Sequence, residues 1–172
     1  MIPYAAIATT SLFVVLTTTS AGAQDARQAA QRAMALTRPA LDGTVLGGIQ
    51  LGFSEPAVIA LLGEPPARAA SPYGDGVLRY DVATGAQLHV HIAGGIVRAL
   101  GIIAPGRPEG AASPQTVRGI RLGMLLARVW ERYGRRQDDR LWYPGEGIAF
   151  NVEGAAPTVT SILIFPRGTP PP

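Results

Sequence analysis

The feature that most constrains this chain is that one unit is written in it twice. The segment opening Ile49-Gln50-Leu51-Gly52 returns as Ile120-Arg121-Leu122-Gly123, a shift of 71. At that shift Val58 and Gly63 fall on Val129 and Gly134. Farther on, Gly85, Val90, Val97 and Ile102 fall on Gly147, Val152, Val159 and Ile164 at a shift of 62, and Tyr80 meets Tyr143 with a one-residue adjustment. The difference in shift is absorbed at 66–76, which reads as a loop that shortens in the second copy.

Each copy carries the same local signals. A Leu-Gly step leads into a helix of about nine or ten residues, ended by Gly63 or Gly134 at the position where a left-handed backbone costs glycine little. Ser54 is placed to cap the first helix, and Pro56 is tolerated in its first turn because that N–H has no helical partner. The second copy has Leu125 at the capping position, so its start should fray or borrow help from a loop. On the second helix Leu126, Val129, Trp130 and Tyr133 form the stripe expected to face a sheet. Three strands should follow in each copy, at 77–82, 86–92 and 96–103 and then at 141–143, 148–153 and 158–165. Leu88, Val90 and Ile92 alternate with His89 and His91, and Phe150 and Val152 alternate with Asn151 and Glu153, the pattern of a sheet with one buried face. Gly85, Gly147 and Gly94-Gly95 supply reversals. The expected fold class is α+β: two tandem helix-plus-antiparallel-meander units, helices on one face of the sheet.

Around this pair the chain divides into a leader at 1–23, an N-terminal helix at 24–39, unit 1 at 40–104, a Pro/Gly-rich linker at 105–117, unit 2 at 118–166 and a Pro-rich tail at 167–172, expected to be disordered. Residues 5–16 are an apolar run broken only by Thr9, Thr10 and Ser11, and Ala21-Gly22-Ala23 is a small-x-small cleavage site. Twelve residues are too few to span a bilayer. The chain is therefore expected to be periplasmic or secreted after cleavage near Ala23. Residues 25–37 read as an amphipathic helix with Ala29, Ala33 and Leu36 on its apolar stripe. With no cysteine, the chain can form neither a disulfide nor a thiolate site, and no lipid can be attached through sulfur.

The Leu-Gly step, the helix closed by Leu62-Gly63-Glu64-Pro65, Tyr80 and the strand through Val97 resemble the SmpA/OmlA family of small outer-membrane lipoproteins. The second copy adds Leu122-Gly123-Met124, Val129, Tyr133-Gly134, Trp142-Tyr143, Phe150 and Val159, and its presence resembles the duplicated layout of secreted beta-lactamase-inhibitor proteins. That resemblance covers about two thirds of the chain. It implies protein binding, either as an accessory of the cell envelope or as an inhibitor of a secreted or periplasmic hydrolase. The lipoprotein family's cysteine is absent here, and no proline follows Gly134.

Chemistry-bearing patterns are few. No serine stands in a Gly-x-Ser-x-Gly elbow, and 43–48 lacks the lysine and spacing of a phosphate loop, so no catalytic residue, enzyme activity or cofactor is expected. His89 and His91 are the candidate metal pair, on an exposed face where Asn151 and Glu153 of the second copy occupy matching columns. Two ligands leave such a site incomplete, so no metal is expected. A periplasmic small-ligand or metal-binding protein is the reading that would use them. All 15 basic residues are arginine, set against 12 acids. Seven lie between Arg118 and Arg140, against Glu131, Asp138 and Asp139, a local excess of four where the whole chain carries three. No nucleic-acid reader motif accompanies them. Arg128, Arg132, Arg135, Arg136 and Arg140, with Trp142 and Tyr143, are the candidate partner-binding residues, because guanidinium groups and flat aromatics dominate protein hot spots. The expected partner is another protein, with weak contact to an anionic membrane surface as a second use of the same arginines.

Overall fold

The computed structural model describes residues 45–46, 48–71, 74–81, 85–104, 114–136 and 141–170. The expected leader, the expected helix at 25–37, most of the linker, and Arg140 lie outside the described residues. A short pair, β1 (Val45–Leu46) and β2 (Ile49–Gln50), precedes helix α1 (Glu55–Leu62). Then come β3 (Ala67–Ser71), β4 (Gly74–Asp81), β5 (Gln87–Ala93) and β6 (Ile96–Ile103). The second unit contributes α2 (Leu126–Tyr133), β7 (Trp142–Tyr143), β8 (Ile148–Glu153) and β9 (Thr158–Ile164). All seven strands from β3 onward form one antiparallel sheet in the order β3-β4-β5-β6-β9-β8-β7. Both helices bury their inward side chains against the same face of it. The α+β expectation holds.

The two units are repeated bond for bond. Gly52 N–H donates to Val97 O and Gly123 N–H to Val159 O, both at 2.8 Å. Val97 N–H and Val159 N–H answer with bonds to Phe53 O and Met124 O, again at 2.8 Å. Gly52 and Gly123 hold φ of +87° and +80°, a conformation that a side chain would resist. At the other end of each helix, the Tyr80 hydroxyl donates to Gly63 O (3.1 Å) and the Tyr143 hydroxyl to Gly134 O (2.8 Å). Val58 and Val129 are fully buried at the middle of their helices.

The units join through their last strands. Leu100 pairs with Ile164 and Ile102 with Ile162, so the shift of 62 that relates the copies exchanges one pair for the other. The sheet is therefore continuous, and one core gathers Val58, Leu62, Tyr80 and Leu100 of unit 1 with Val129, Tyr143, Phe150 and Ile162 of unit 2.

Three local details depart from expectation. The stretch read as a loop contains β3, an edge strand paired in register Ala67↔Arg79 and Ala69↔Val77. Its Ala-Arg-Ala-Ala-Ser sequence has neither β-branched residues nor alternation, so only the backbone pairing with β4 makes it a strand. Trp130 leaves the inward stripe of α2 and lies half-buried under the Arg135 guanidinium, 4.7 Å from its centroid. Beyond Phe165 the chain turns back, and Gly168 N–H donates to Pro144 O at 2.9 Å, an anchor that composition does not reveal.

Helix α1 is capped as expected, with Ala57 N–H donating to Ser54 Oγ at 3.3 Å. Helix α2 has no side-chain cap, and Leu125 at that position is 52% exposed. The same loop support reaches both helices: Glu55 N–H bonds Gly95 O and Leu126 N–H bonds Pro157 O. At the two helix starts the difference is thus the side-chain cap. Leu125→Ser should stabilise the chain by about 0.5–1 kcal/mol through a restored N-cap, measured as a higher urea midpoint at unchanged slope. An unchanged or lower midpoint would show that Leu125 already contributes as much by packing.

Candidate functional site

The outward side of α2 carries Leu125, Arg128 and Arg132 at spacings of three and four, one stripe on the helix, with Arg135 and Arg136 following its end. All five are exposed. Their counterparts in unit 1 are Ser54, Ala57, Leu61, Glu64 and Pro65. The inward positions, by contrast, are kept: Val58 and Val129 match, and Gly63 and Gly134 end both helices. The two copies share the inward positions and differ on the outer face, which is basic in the second.

The arginines differ in what they touch. Arg118 is a clamp: one nitrogen donates to Arg132 O at 2.7 Å, the other meets Glu146, and the guanidinium carbon stands 4.9 Å from the Tyr133 centroid. A cation there also opposes the negative end of the helix dipole. Arg128 bonds Glu131 at 2.7 Å, both well exposed, a pair worth no more than a few tenths of a kcal/mol. Arg135 stacks on Trp130. The Arg136 charge reaches Tyr143, where burial pushes the hydroxyl above its usual range and Arg136 partly counters this.

The two flat residues placed with these arginines by sequence do not lie on the outer face of α2. Tyr143 is buried in the core, ringed by Tyr133 and Phe150 at 5.1 and 6.1 Å respectively, and its hydroxyl is committed to Gly134 O. Trp142 is its neighbour on a two-residue strand, so it points to the opposite face of the sheet, away from α2. The surface gains instead what the sequence reading passed over. Trp130 lies under Arg135, and Leu125 is, among the described residues, an exposed large apolar side chain on the same face. The signal for Leu125 was present, since it stands where the other copy needs a cap.

His89 and His91 do share a face, their ring centroids 6.5 Å apart. Both are half-buried. Burial, with the charge of Arg79 and His91 beside it, lowers His89 to about 4, and burial lowers His91 as well. Both are neutral at pH 7, so the switch near neutrality that free histidine offers is lost. His89 Nε2 bonds Gln87 Oε1 at 3.2 Å, and Gln87 in turn donates to Asp81 at 3.1 Å. Asn151 does not sit in the His89 row. The register runs His89, Gly101, Leu163, Ala149 across the sheet, while Asn151 aligns with Ser161, Ile103 and Gln87. Its amide donates to Ser161 Oγ at 2.7 Å, and Glu153 lies farther along the same strand. Among the described residues no group of three His, Asp or Glu side chains is arranged to hold a metal ion.

No protein-family model and no curated protein matches the chain. Among solved structures, that of an extracellular protein containing an SCP domain, from Bacillus anthracis str. Ames, matches with a TM-score of 0.50 at 10% identity. The match covers 67% of this chain and 44% of that one, so this chain spans less than half of its length. The likeness is one of fold. It also corrects the resemblance drawn from sequence: the fold match is to a protein of a different description, and the SmpA/OmlA and beta-lactamase-inhibitor assignment is set aside. Leu-Gly steps, Gly-closed helices and short meanders are backbone requirements of the unit, so they recur without kinship.

Proposed function

We propose that this chain is an exported, non-catalytic accessory domain that holds a partner protein on the outer face of α2. The observation that carries this reading is the contrast between the two copies. Where unit 1 has a capped helix with small or apolar outer residues, unit 2 gives up the cap, exposes Leu125 and adds Arg128, Arg132, Arg135 and Arg136. A lost cap costs about 1 kcal/mol, which stability alone does not favour. An exposed leucine beside fork-shaped cations and a stacked tryptophan suits an acidic partner surface with an apolar centre. The extracellular character of the solved protein with this fold, together with the expected leader, supports export.

The test is paired capture. The full chain and its Arg132→Glu/Arg136→Glu variant are immobilised and exposed to envelope extract at about 0.05 and about 0.3 M salt, where screening weakens exposed charge pairs. The expected result is a partner retained by the parent, lost at the higher salt, and bound by the variant at least tenfold more weakly in calorimetry. Equal binding by parent and folded variant would remove the partner from this face.

A further inference from the structure

His89 and His91 stand two apart on β5 and turn the same way, with ring centroids 6.5 Å apart and the rings tilted by 51°. A hydrogen-bonded relay fixes the proton on the first of them. Gln87 Nε2 donates to Asp81 Oδ1 at 3.1 Å, which leaves Gln87 Oε1, an acceptor, 3.2 Å from His89 Nε2. An acceptor there requires the proton on Nε2, so in the neutral ring the lone pair is on Nδ1. A metal-bound histidine is held in the same manner, its second nitrogen donating to a partner that sets tautomer and ring orientation. His91 Nδ1 is shielded from water and has no hydrogen-bond partner among the described residues. A nitrogen left so costs free energy, which a bound ion would recover. Burial lowers both histidines, so both rings are neutral at pH 7 and neither lone pair is lost to a proton.

We propose that His89 and His91 bind one Cu(I) ion between their Nδ1 atoms. Two nitrogens are too few for zinc, which takes four ligands, whereas a monovalent d10 ion is satisfied by two in a line. The spacing of the rings agrees. With a metal–nitrogen bond of about 2 Å, two imidazole centres on one ion lie about 6 Å apart when collinear and about 5 Å apart at a tetrahedral angle. The observed 6.5 Å is at the collinear end. Charge points the same way. Arg79 pairs with His89 in register, and its guanidinium acts on that ring. A cation beside the site repels a divalent ion twice as strongly as a monovalent one. On β6 the partners of His89 and His91 are Gly101 and Ala99, so no large side chain crowds the pair from that strand. On the other side Arg79 is exposed and both rings are only half-buried, which leaves a way in from solvent. The second copy supplies the contrast: at the shift of 62 the two positions are Asn151 and Glu153, so the site belongs to unit 1.

The test uses the full chain with isotope-labelled histidine, read by nuclear magnetic resonance, and Ag(I), a redox-inert ion of the same coordination, as the probe. His89 and His91 are the chain's two histidines, and with no cysteine present the competing soft donors are the thioethers of three methionines. The expected result is one Ag(I) per chain, a large shift of both Nδ1 resonances, and His89 Nε2 still protonated. His89→Gln and His91→Gln should each weaken binding by about a hundredfold or more, and Gln87→Leu, which removes only the relay, by about tenfold. Cu(I), measured anaerobically against a chromogenic chelator, should follow the same order, with Zn(II) about a hundredfold weaker than either. No shift of either ring, methionine methyl signals that move in their place, a folded variant of the three that keeps the parent's affinity, or Zn(II) as tight as Ag(I) overturns the proposal. The ring-nitrogen shifts of the parent decide the question even if a histidine variant fails to fold.

Discussion

Gly147→Ala should destabilise the chain by about 3–5 kcal/mol, lowering the midpoint of thermal unfolding by about 10 °C or more. Gly147 occupies the turn before β8 with φ +66°, and a Cβ added there would stand 2.4 Å from Phe165 O. That oxygen belongs to backbone, which cannot swing away as a side-chain tip does. Moving it would also disturb the bond from Phe165 N–H to Gly147 O at 2.9 Å. The duplication supplies the control. Gly85 holds the matching place in unit 1 with φ +75°, but nothing lies within 4 Å of its added Cβ. Gly85→Ala should therefore cost only the conformational penalty, about 1 kcal/mol. Equal losses for the two variants in urea unfolding would show that backbone conformation matters at Gly147 and the contact with Phe165 does not.

Acidification should remove about 1–2 kcal/mol of stability that His89→Gln does not lose. In the folded chain His89 is lowered to about 4, whereas an unfolded histidine titrates near 6.5. Between those values the unfolded chain binds more protons than the folded one, so stability rises with pH across this window and falls as pH drops through it. Above about 6.5 both states are neutral and the contribution is constant. The full shift corresponds to about 3 kcal/mol at 1.36 kcal/mol per unit, reduced here because the ring is only half-buried. Carboxylates titrate in the same range, so the quantity to measure is the difference between parent and variant in urea unfolding at several pH values. Gln keeps the neutral hydrogen-bonding partner for Gln87 without a titrating ring. Parallel stability curves from about pH 7 to about pH 4.5 would mean that His89 is protonated as easily folded as unfolded.

The sequence made the repeating unit legible because its signals are local. Gly52, Gly63, Gly123 and Gly134 each hold positive φ, and Ser54 caps the helix it was placed to cap. Leu88, Val90 and Ile92 alternate with less buried neighbours as a one-sided strand must. What failed was not local. β3 became a strand through pairing with β4, and nothing in its own side chains requires it. Tyr143 and Trp142 are adjacent in sequence, yet a strand sends adjacent side chains to opposite faces, which turns Trp142 away from α2 and returns Tyr143 to the core. Spacing alone placed Trp130 on the inward stripe, and its place under Arg135 was settled by where the chain turned after Gly134.

By itself, then, the sequence determined that one unit is used twice, which glycines turn it and most of the helix and strand positions that face inward. These follow from φ preferences, capping and periodicity, which act over a few residues. The tertiary structure decided that β6 and β9 meet and make one sheet from two units. It also decided that His89 and His91 are half-buried on their face, and that Arg118 clamps α2 while Arg128 and Arg132 face outward. Those outcomes depend on contacts between residues far apart in the chain, and on burial that is set only when all the layers are in place.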